Sequence, residues 1–83
     1  MNKNIIINYI EKITKQDIAN YISKENIKHT KEEIDIIYNS IKNDYQEILN
    51  NFQNYILKLK DKLNQNLYNK IIEKYNKYKK FID

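Results

Sequence analysis

The sequence contains no cysteine, glycine, proline, tryptophan or arginine, and most of these gaps remove a class of chemistry. Without cysteine there is no disulfide framework and no thiolate nucleophile or ligand, although nothing follows about redox compartment. Without glycine there is no loop of the kind that cradles phosphates. Without arginine the planar fork that grips phosphate or guanine through two parallel hydrogen bonds is missing. Long apolar runs are also absent: Ile5-Ile6-Ile7 is among the longest. A membrane-spanning helix needs about 20 apolar residues and a signal-peptide core roughly 7–15, so no membrane association is expected and a cytoplasmic location is the default.

What is present is a narrow alphabet. Isoleucine, lysine, asparagine and tyrosine make up 54 of the 83 residues. All four have A/T-rich codons, the mark of an AT-rich genome, so part of the lysine excess reflects codon supply rather than selection for binding. The net charge of +4 is unevenly spread, with residues 1–51 at about −1 and residues 52–83 at about +5. A chain of this length forms one domain, residues 1–83, and buries only about 60 to 65 per cent of its unfolded surface. Association with a second copy or another protein would bury more.

The apolar pattern sets the fold class. Ile34, Tyr38, Ile41, Tyr45, Ile48, Phe52, Tyr55 and Leu59 follow alternating steps of four and three, which only a helix gathers on one side. Leu49, Ile56 and Leu63 widen this stripe beyond a coiled-coil seam, as suits a globular bundle. One helix over 31–63 would be roughly 50 Å long, against a radius of gyration of about 12 Å for a compact chain of this size. Asn50-Asn51 is the expected break, because Asn is a weak helix former that tolerates a left-handed stop and can cap a new start. The two resulting helices run from Lys31 to about Leu49 and from about Phe52 to Leu63; an unbroken rod covered by a partner chain is the alternative.

Elsewhere the boundaries are set by caps. Ile6, Tyr9, Ile10 and Ile13 predict a short amphipathic helix over Asn4 to Ile13, or else a frayed arm. Thr14 with Asp17 forms a capping-box pair, with Ile13 and Ile18 in staple positions, and opens a helix ending near Glu25-Asn26 that buries Ile18, Tyr21 and Ile22. After the connector Ile27-Lys28-His29, whose isoleucine tucks into the core, Thr30 and Glu33 repeat the cap. Glu32, Glu33 and Asp35 then lie where the helix dipole favours negative charge. Asn64 caps the last helix, from Gln65 to about Phe81, which buries Leu67, Ile71, Tyr75, Tyr78 and Ile82 flanked by Tyr68 and Ile72. Lys77, Lys79 and Lys80 complement its C-terminal dipole. The expectation is an all-α bundle of four to five short helices.

The segments Ile13-Thr14-Lys15-Gln16-Asp17-Ile18, His29-Thr30-Lys31-Glu32-Glu33 and Leu67-Tyr68-Asn69-Lys70-Ile71-Ile72, with Tyr75-Asn76-Lys77-Tyr78, resemble an uncharacterised family of small helical proteins from low-GC Gram-positive bacteria, domain of unknown function family 2624. The likeness covers most of the chain after Lys12. It implies a small all-helical protein with no assigned activity, and it transfers no functional residues.

No catalytic constellation is visible. His29 has neither a second histidine nor a cysteine with which to share a metal, and the acidic trio Glu32, Glu33 and Asp35 is accounted for by the helix dipole. No serine has a recognisable histidine partner. No catalytic residue, cofactor or metal site is therefore assigned, and an enzyme is not expected. One functional pattern rises above this background. Lys70, Lys74 and Lys77 share a flank of the last helix, and Lys58 and Lys62 share a flank of the preceding one, a basic ridge that could neutralise phosphates in a salt-dependent, sequence-tolerant way. The plainer reading is a solvated face, since the tyrosines, Tyr68, Tyr75 and Tyr78, keep register with the core and not with the ridge. The segment from Thr14 to Asn43 faintly resembles helix-hinge-helix DNA-binding modules, but its entering end is acidic and lacks a turn glycine. The leading expectation is a non-catalytic protein-interaction or structural module, able to self-associate; the alternative is weak nucleic-acid binding through the five lysines.

Overall fold

Capped helix starts and a short apolar repeat produce five helices among the described residues: α1 (Lys3–Lys12), α2 (Lys15–Lys24), α3 (Lys31–Asn50), α4 (Phe52–Leu57) and α5 (Gln65–Ile82). The structure, a computed structural model, describes residues 3–82, together with their side chains except those of Lys3, Tyr78, Lys80, Phe81 and Ile82. No strand occurs among these residues, so the fold is a small all-α globule. Its radius of gyration is 12.2 Å. α3 is the hub, packing against α1, α2 and α4.

The starts of α2 and α3 have the geometry that their sequences specify. Thr14 Oγ1 accepts from the Asp17 N–H at 3.1 Å, and the Thr14 N–H donates to Asp17 Oδ2 at 3.0 Å. Thr30 and Glu33 make the same reciprocal pair at 3.1 and 2.9 Å. Each box satisfies helix-start donors that have no partner inside the helix. The end of α2 solves the problem of a chain without glycine. Asn26 takes the left-handed conformation, φ 59°, the Ile27 N–H donates to Ile22 O, and the Asn26 N–H to Ser23 O. This is a Schellman stop with asparagine in the glycine position, and it turns Ile27 back onto the core.

The break expected at Asn50-Asn51 is present. Asn51 has φ −153° and ψ 66°, an extended conformation rather than a left-handed one, and its side chain makes no cap bond to α4. Its backbone does the work: the N–H donates to Glu47 O and the carbonyl accepts from the Tyr55 N–H. A second interruption lies at Asp44, φ −120° and ψ 18°, which kinks α3. The Tyr55 hydroxyl donates to Asp44 Oδ2 at 2.6 Å, tying α4 to the kink. α4 is shorter than the sequence pattern implied. From Lys58 to Lys62 the chain continues in tighter turns closed by bonds such as Leu59 N–H to Ile56 O and Lys62 N–H to Leu59 O. Such turns eclipse side chains three residues apart, so Leu59 still follows Ile56 into the core although the α-helix ends at Leu57.

The core consists of Ile18, Ile22, Ile34, Ile37, Phe52, Tyr55, Ile56, Leu59, Leu63, Leu67 and Tyr68, with Leu67 only 1% exposed. Phe52 stacks on Tyr75 with ring centroids 3.7 Å apart. On α3 the buried line is rotated from the expected one: Ile37 and Ser40 are buried, while Tyr38, Ile41, Tyr45 and Ile48 are half-buried. Tyr21, Ile71, Ile72 and Tyr75 pack against the edge of the core rather than at its centre. On α1 the half-buried residues are Ile6, Ile7 and Ile10, and Tyr9, expected on the inner face, is exposed. The expected burial of Tyr78 and Ile82 lies outside the described side chains.

Leu67→Ala should cost about 2 to 5 kcal/mol, and Leu57→Ala, at an exposed site, under about 0.5 kcal/mol, as read by urea unfolding. At the α2 stop, Asn26→Ala should cost about 1 kcal/mol while Asn26→Gly is neutral or slightly stabilising, because alanine keeps the Cβ that is penalised at positive φ without the short polar side chain that offsets it, and glycine removes the Cβ.

Candidate functional site

Two helix starts converge on one buried carboxylate. Glu33 sits in the first turn of α3, where Oε1 accepts from its own cap, and its Oε2 accepts from the backbone N–H of Asn64 at 2.6 Å. Asn64 caps α5 by accepting from the Leu67 N–H at 2.8 Å through Oδ1. Its Nδ2 donates to Lys28 O at 2.8 Å and lies 3.2 Å from Glu33 Oε2. Burial pushes the Glu33 carboxyl up, but the backbone N–H groups of Asn64 and Thr30, with their side chains, outweigh it and hold the group below the usual carboxylate range. Around this node lies an open depression of about 480 Å³ lined by Lys28, His29, Thr30, Glu32, Glu33, Asp61, Lys62, Leu63 and Asn64. His29 is half-buried rather than solvent-facing, with Nδ1 3.1 Å from Ile27 O. The positive ends of α3 and α5 meet here, yet Glu33 already supplies the anion.

The five lysines of the sequence-derived ridge do not form one open surface. Lys70 reaches Glu25 at 3.2 Å and Glu73 at 3.3 Å. Lys77 lies 4.0 Å from Glu73. Lys74 Nζ sits over the Tyr21 ring, 4.4 Å from its centre. Lys58 pairs with Glu47 at 2.8 Å and lies over the Tyr55 ring, and Lys62 stands apart at the rim of the depression. The hydrogen bonds that Lys70 donates to Glu25 and Lys58 donates to Glu47 raise the pKa values of these ammonium groups. The Lys70 bond in turn holds the Glu25 carboxyl low. Cation–aromatic contact at these distances is attractive, so the ammonium groups of Lys58, Lys70, Lys74 and Lys77 are engaged within the fold.

Large apolar side chains are left uncovered on α1, as Leu57 is on α4. Ile5 and Tyr9 are 56% and 66% exposed, and none of the described α1 side chains is fully buried. Lys42 Nζ donates to Glu11 O at 2.7 Å, which fixes the C-terminal end of the helix. Between α1 and α2 runs a second open depression, lined by Tyr9, Asp17, Asn20, Tyr21, Ser23 and Lys24. The run Ile5-Ile6-Ile7 carried the signal, since three consecutive residues on a helix span 200° and cannot all face one neighbour.

Among the described residues, no three His, Asp or Glu side chains stand where they could hold a metal ion, and no helix is long and apolar enough to cross a membrane. Compared with family models, curated proteins and solved structures, the chain gives no match in any of the three.

The Glu33 node makes stability acid-sensitive. Because the folded carboxyl lies below its unfolded value, its contribution is complete above about pH 4.3 and is lost as pH falls through the lowered folded value. Thermal melts between pH 3 and 7 should show Glu33→Gln with a shallower acid loss than the parent. At pH 7 this variant should be about 1 to 3 kcal/mol less stable, from donors left without an acceptor, whereas Glu32→Gln, at an exposed neighbour, should cost under about 1 kcal/mol.

Proposed function

We propose that this protein is a non-catalytic interaction module that binds protein surfaces through the exposed apolar side of α1. The observation that carries this reading is the pair Ile5 and Tyr9, one turn apart on a helix none of whose described side chains is fully buried. Scattered surface apolar residues need no explanation, but adjacent ones on a loosely covered helix mark interaction sites. The resemblance to the uncharacterised helical family carries no activity and adds none here. A basic ridge for nucleic acid is disfavoured, because Lys58, Lys70 and Lys77 face carboxylates and Lys74 covers a tyrosine.

The test compares affinity capture by the full chain with capture by an Ile5→Asp/Tyr9→Asp variant of unchanged helical circular dichroism. Protein binding, to a second copy or to another chain, should be present in the first and lost in the second. Equal retention by both would overturn the reading. So would capture of nucleic acid alone, released by salt and abolished by combined Lys70→Glu, Lys74→Glu and Lys77→Glu changes.

A further inference from the structure

We infer that α3 and α4 join into one helix when Asn51 turns helical, and that a second copy of the chain then supplies the α4–α5 half which each core has lost. The exchange involves neither Ile5 nor Tyr9. Three observations lead to it: the phase of the apolar repeat, the burial along it and the chemistry of the joint.

Ile34, Tyr38, Ile41, Tyr45, Ile48, Phe52, Tyr55 and Leu59 keep their alternating steps of four and three straight across Asn50 and Asn51. A turn resets which side of the next helix faces inward, so helices on either side of one need no common phase, whereas a single helix does. In the folded chain this line is fully used on one side of the joint only. Phe52, Tyr55 and Leu59 are buried, while Tyr38, Ile41, Tyr45 and Ile48 are half-buried and α3 turns Ile37 and Ser40 inward instead. Tyr45, Ile48 and the half-buried Leu49 stand within two turns of the joint, where the continuous helices of an exchanged pair run past each other and cover them.

A single residue separates α3 from α4. Asn51 already makes both backbone bonds of a helical residue, its N–H donating to Glu47 O and its carbonyl accepting from the Tyr55 N–H, and its side chain makes no cap bond to α4. Its φ of −153° and ψ of 66° need only move to about −63° and −42° for the helix to run through. Glycine and proline, the residues that would oppose this, are absent from the chain.

The exchanged half moves as a unit and meets the same partners. Phe52 on α4 and Tyr75 on α5 remain stacked. The ties of α4–α5 to the rest of the chain, the Asn64 N–H to Glu33, Lys70 to Glu25 and Lys58 to Glu47, are made again with the same residues of the other copy, twice over and with twofold symmetry. Core contacts therefore cancel between the two forms. The joint, the added contacts beside it and the chain concentration set the balance.

The test uses the whole chain without substitution. Unlabelled and isotope-labelled chains are unfolded together in urea and refolded at about 1 mM and at about 10 µM, because the dimer is favoured by concentration. Exchange opens the core and so proceeds at the rate of unfolding; dimer should form on concentrated refolding and not on brief mixing of folded chains. A carbodiimide, which condenses a carboxylate and an amine in contact to an amide, then links Glu25 to Lys70. In the dimer fraction this linked product should include species that carry both labels; in the monomer each should carry one. Asn51→Ala should raise the association constant about tenfold and Asn51→Gly lower it about threefold, from helix propensity counted over two chains. A chain that refolds at about 1 mM as monomer alone overturns the inference. So does a dimer whose Glu25–Lys70 product carries only one label, or one whose amount is the same in both Asn51 variants. If such a single-label dimer is lost in the Ile5→Asp/Tyr9→Asp chain, exchange fails and the α1 reading stands.

Discussion

A carboxylate taken out of water is tolerated only where donors replace its hydration shell, and at Glu33 those donors are supplied by two helix starts at once. One oxygen closes the cap of α3 through Thr30; the other receives the backbone N–H of Asn64, the residue that caps α5. The two helices would each need an acceptor for their first free N–H groups, and a single side chain answers both. The polar bond is placed among apolar neighbours. Leu63 and Leu67, on either side of Asn64, are both core residues, so docking α5 correctly satisfies the carboxylate and buries two leucines in one step. Hydrophobic burial supplies the larger energy, and the carboxylate determines where the helix starts relative to its neighbour.

With α5 anchored at its first turn, the rest of its packing follows from how α3 is interrupted. A straight helix through Asn51 would carry Phe52 and Tyr55 away from α5. Two interruptions prevent this. The kink at Asp44 is held by the Tyr55 hydroxyl, and the backbone of Asn51 closes bonds to both sides. The chain then doubles back, and Phe52 lies flat against Tyr75. Burial pushes the Tyr55 phenol pKa up, and the bond to Asp44 pushes it further, as expected for a buried hydroxyl that serves as a donor to a carboxylate.

Features that depend on neighbours in sequence could be read in advance, and those that depend on neighbours in space could not. Thr14-Asp17, Thr30-Glu33 and Asn64 announce three helix starts because caps are local chemistry, and Asn50-Asn51 marks a break for the same reason. Glu33 as a bridge was not legible, since its second partner lies 31 positions away and any early Glu satisfies the capping pattern. The inner line of α3 was misplaced onto Tyr38, Ile41 and Tyr45 because apolar spacing on an isoleucine-rich helix fits two neighbouring stripes equally well and a buried serine gives no apolar signal, and Ile37 and Ser40 face inward instead. The length of α4 was overestimated for a related reason. Tighter turns from Lys58 to Lys62 keep Leu59 on the same side as a helix would, so apolar spacing cannot distinguish them. The lysines posed the hardest case: Glu73 is within one turn of Lys70 and Lys77 on the same helix, but Glu25 at the end of α2 and Glu47 on α3 lie far off in sequence, and no single-helix spacing reveals them.

The restricted alphabet shows why composition is a poor guide to role here. Asparagine does three different jobs: a left-handed stop at Asn26, a backbone joint at Asn51 and a side-chain cap at Asn64. Lysine covers aromatic rings, with Lys15 and Lys42 over Tyr38, Lys58 over Tyr55 and Lys74 over Tyr21, and pairs with acids on adjacent helices. An ammonium engaged in this way shields the half-buried tyrosine faces from water while keeping its own head wet. Lys58 and Lys70 in the second half of the chain are thus tied to acids elsewhere in the fold and Lys74 to a tyrosine, and a count of lysines overstates the charge available to an outside ligand. Isoleucine has no such second use. Where Ile5 projects from α1 beside Tyr9, no hydrogen bond or ion pair can compensate for contact with water, and burial against another surface is the favourable outcome.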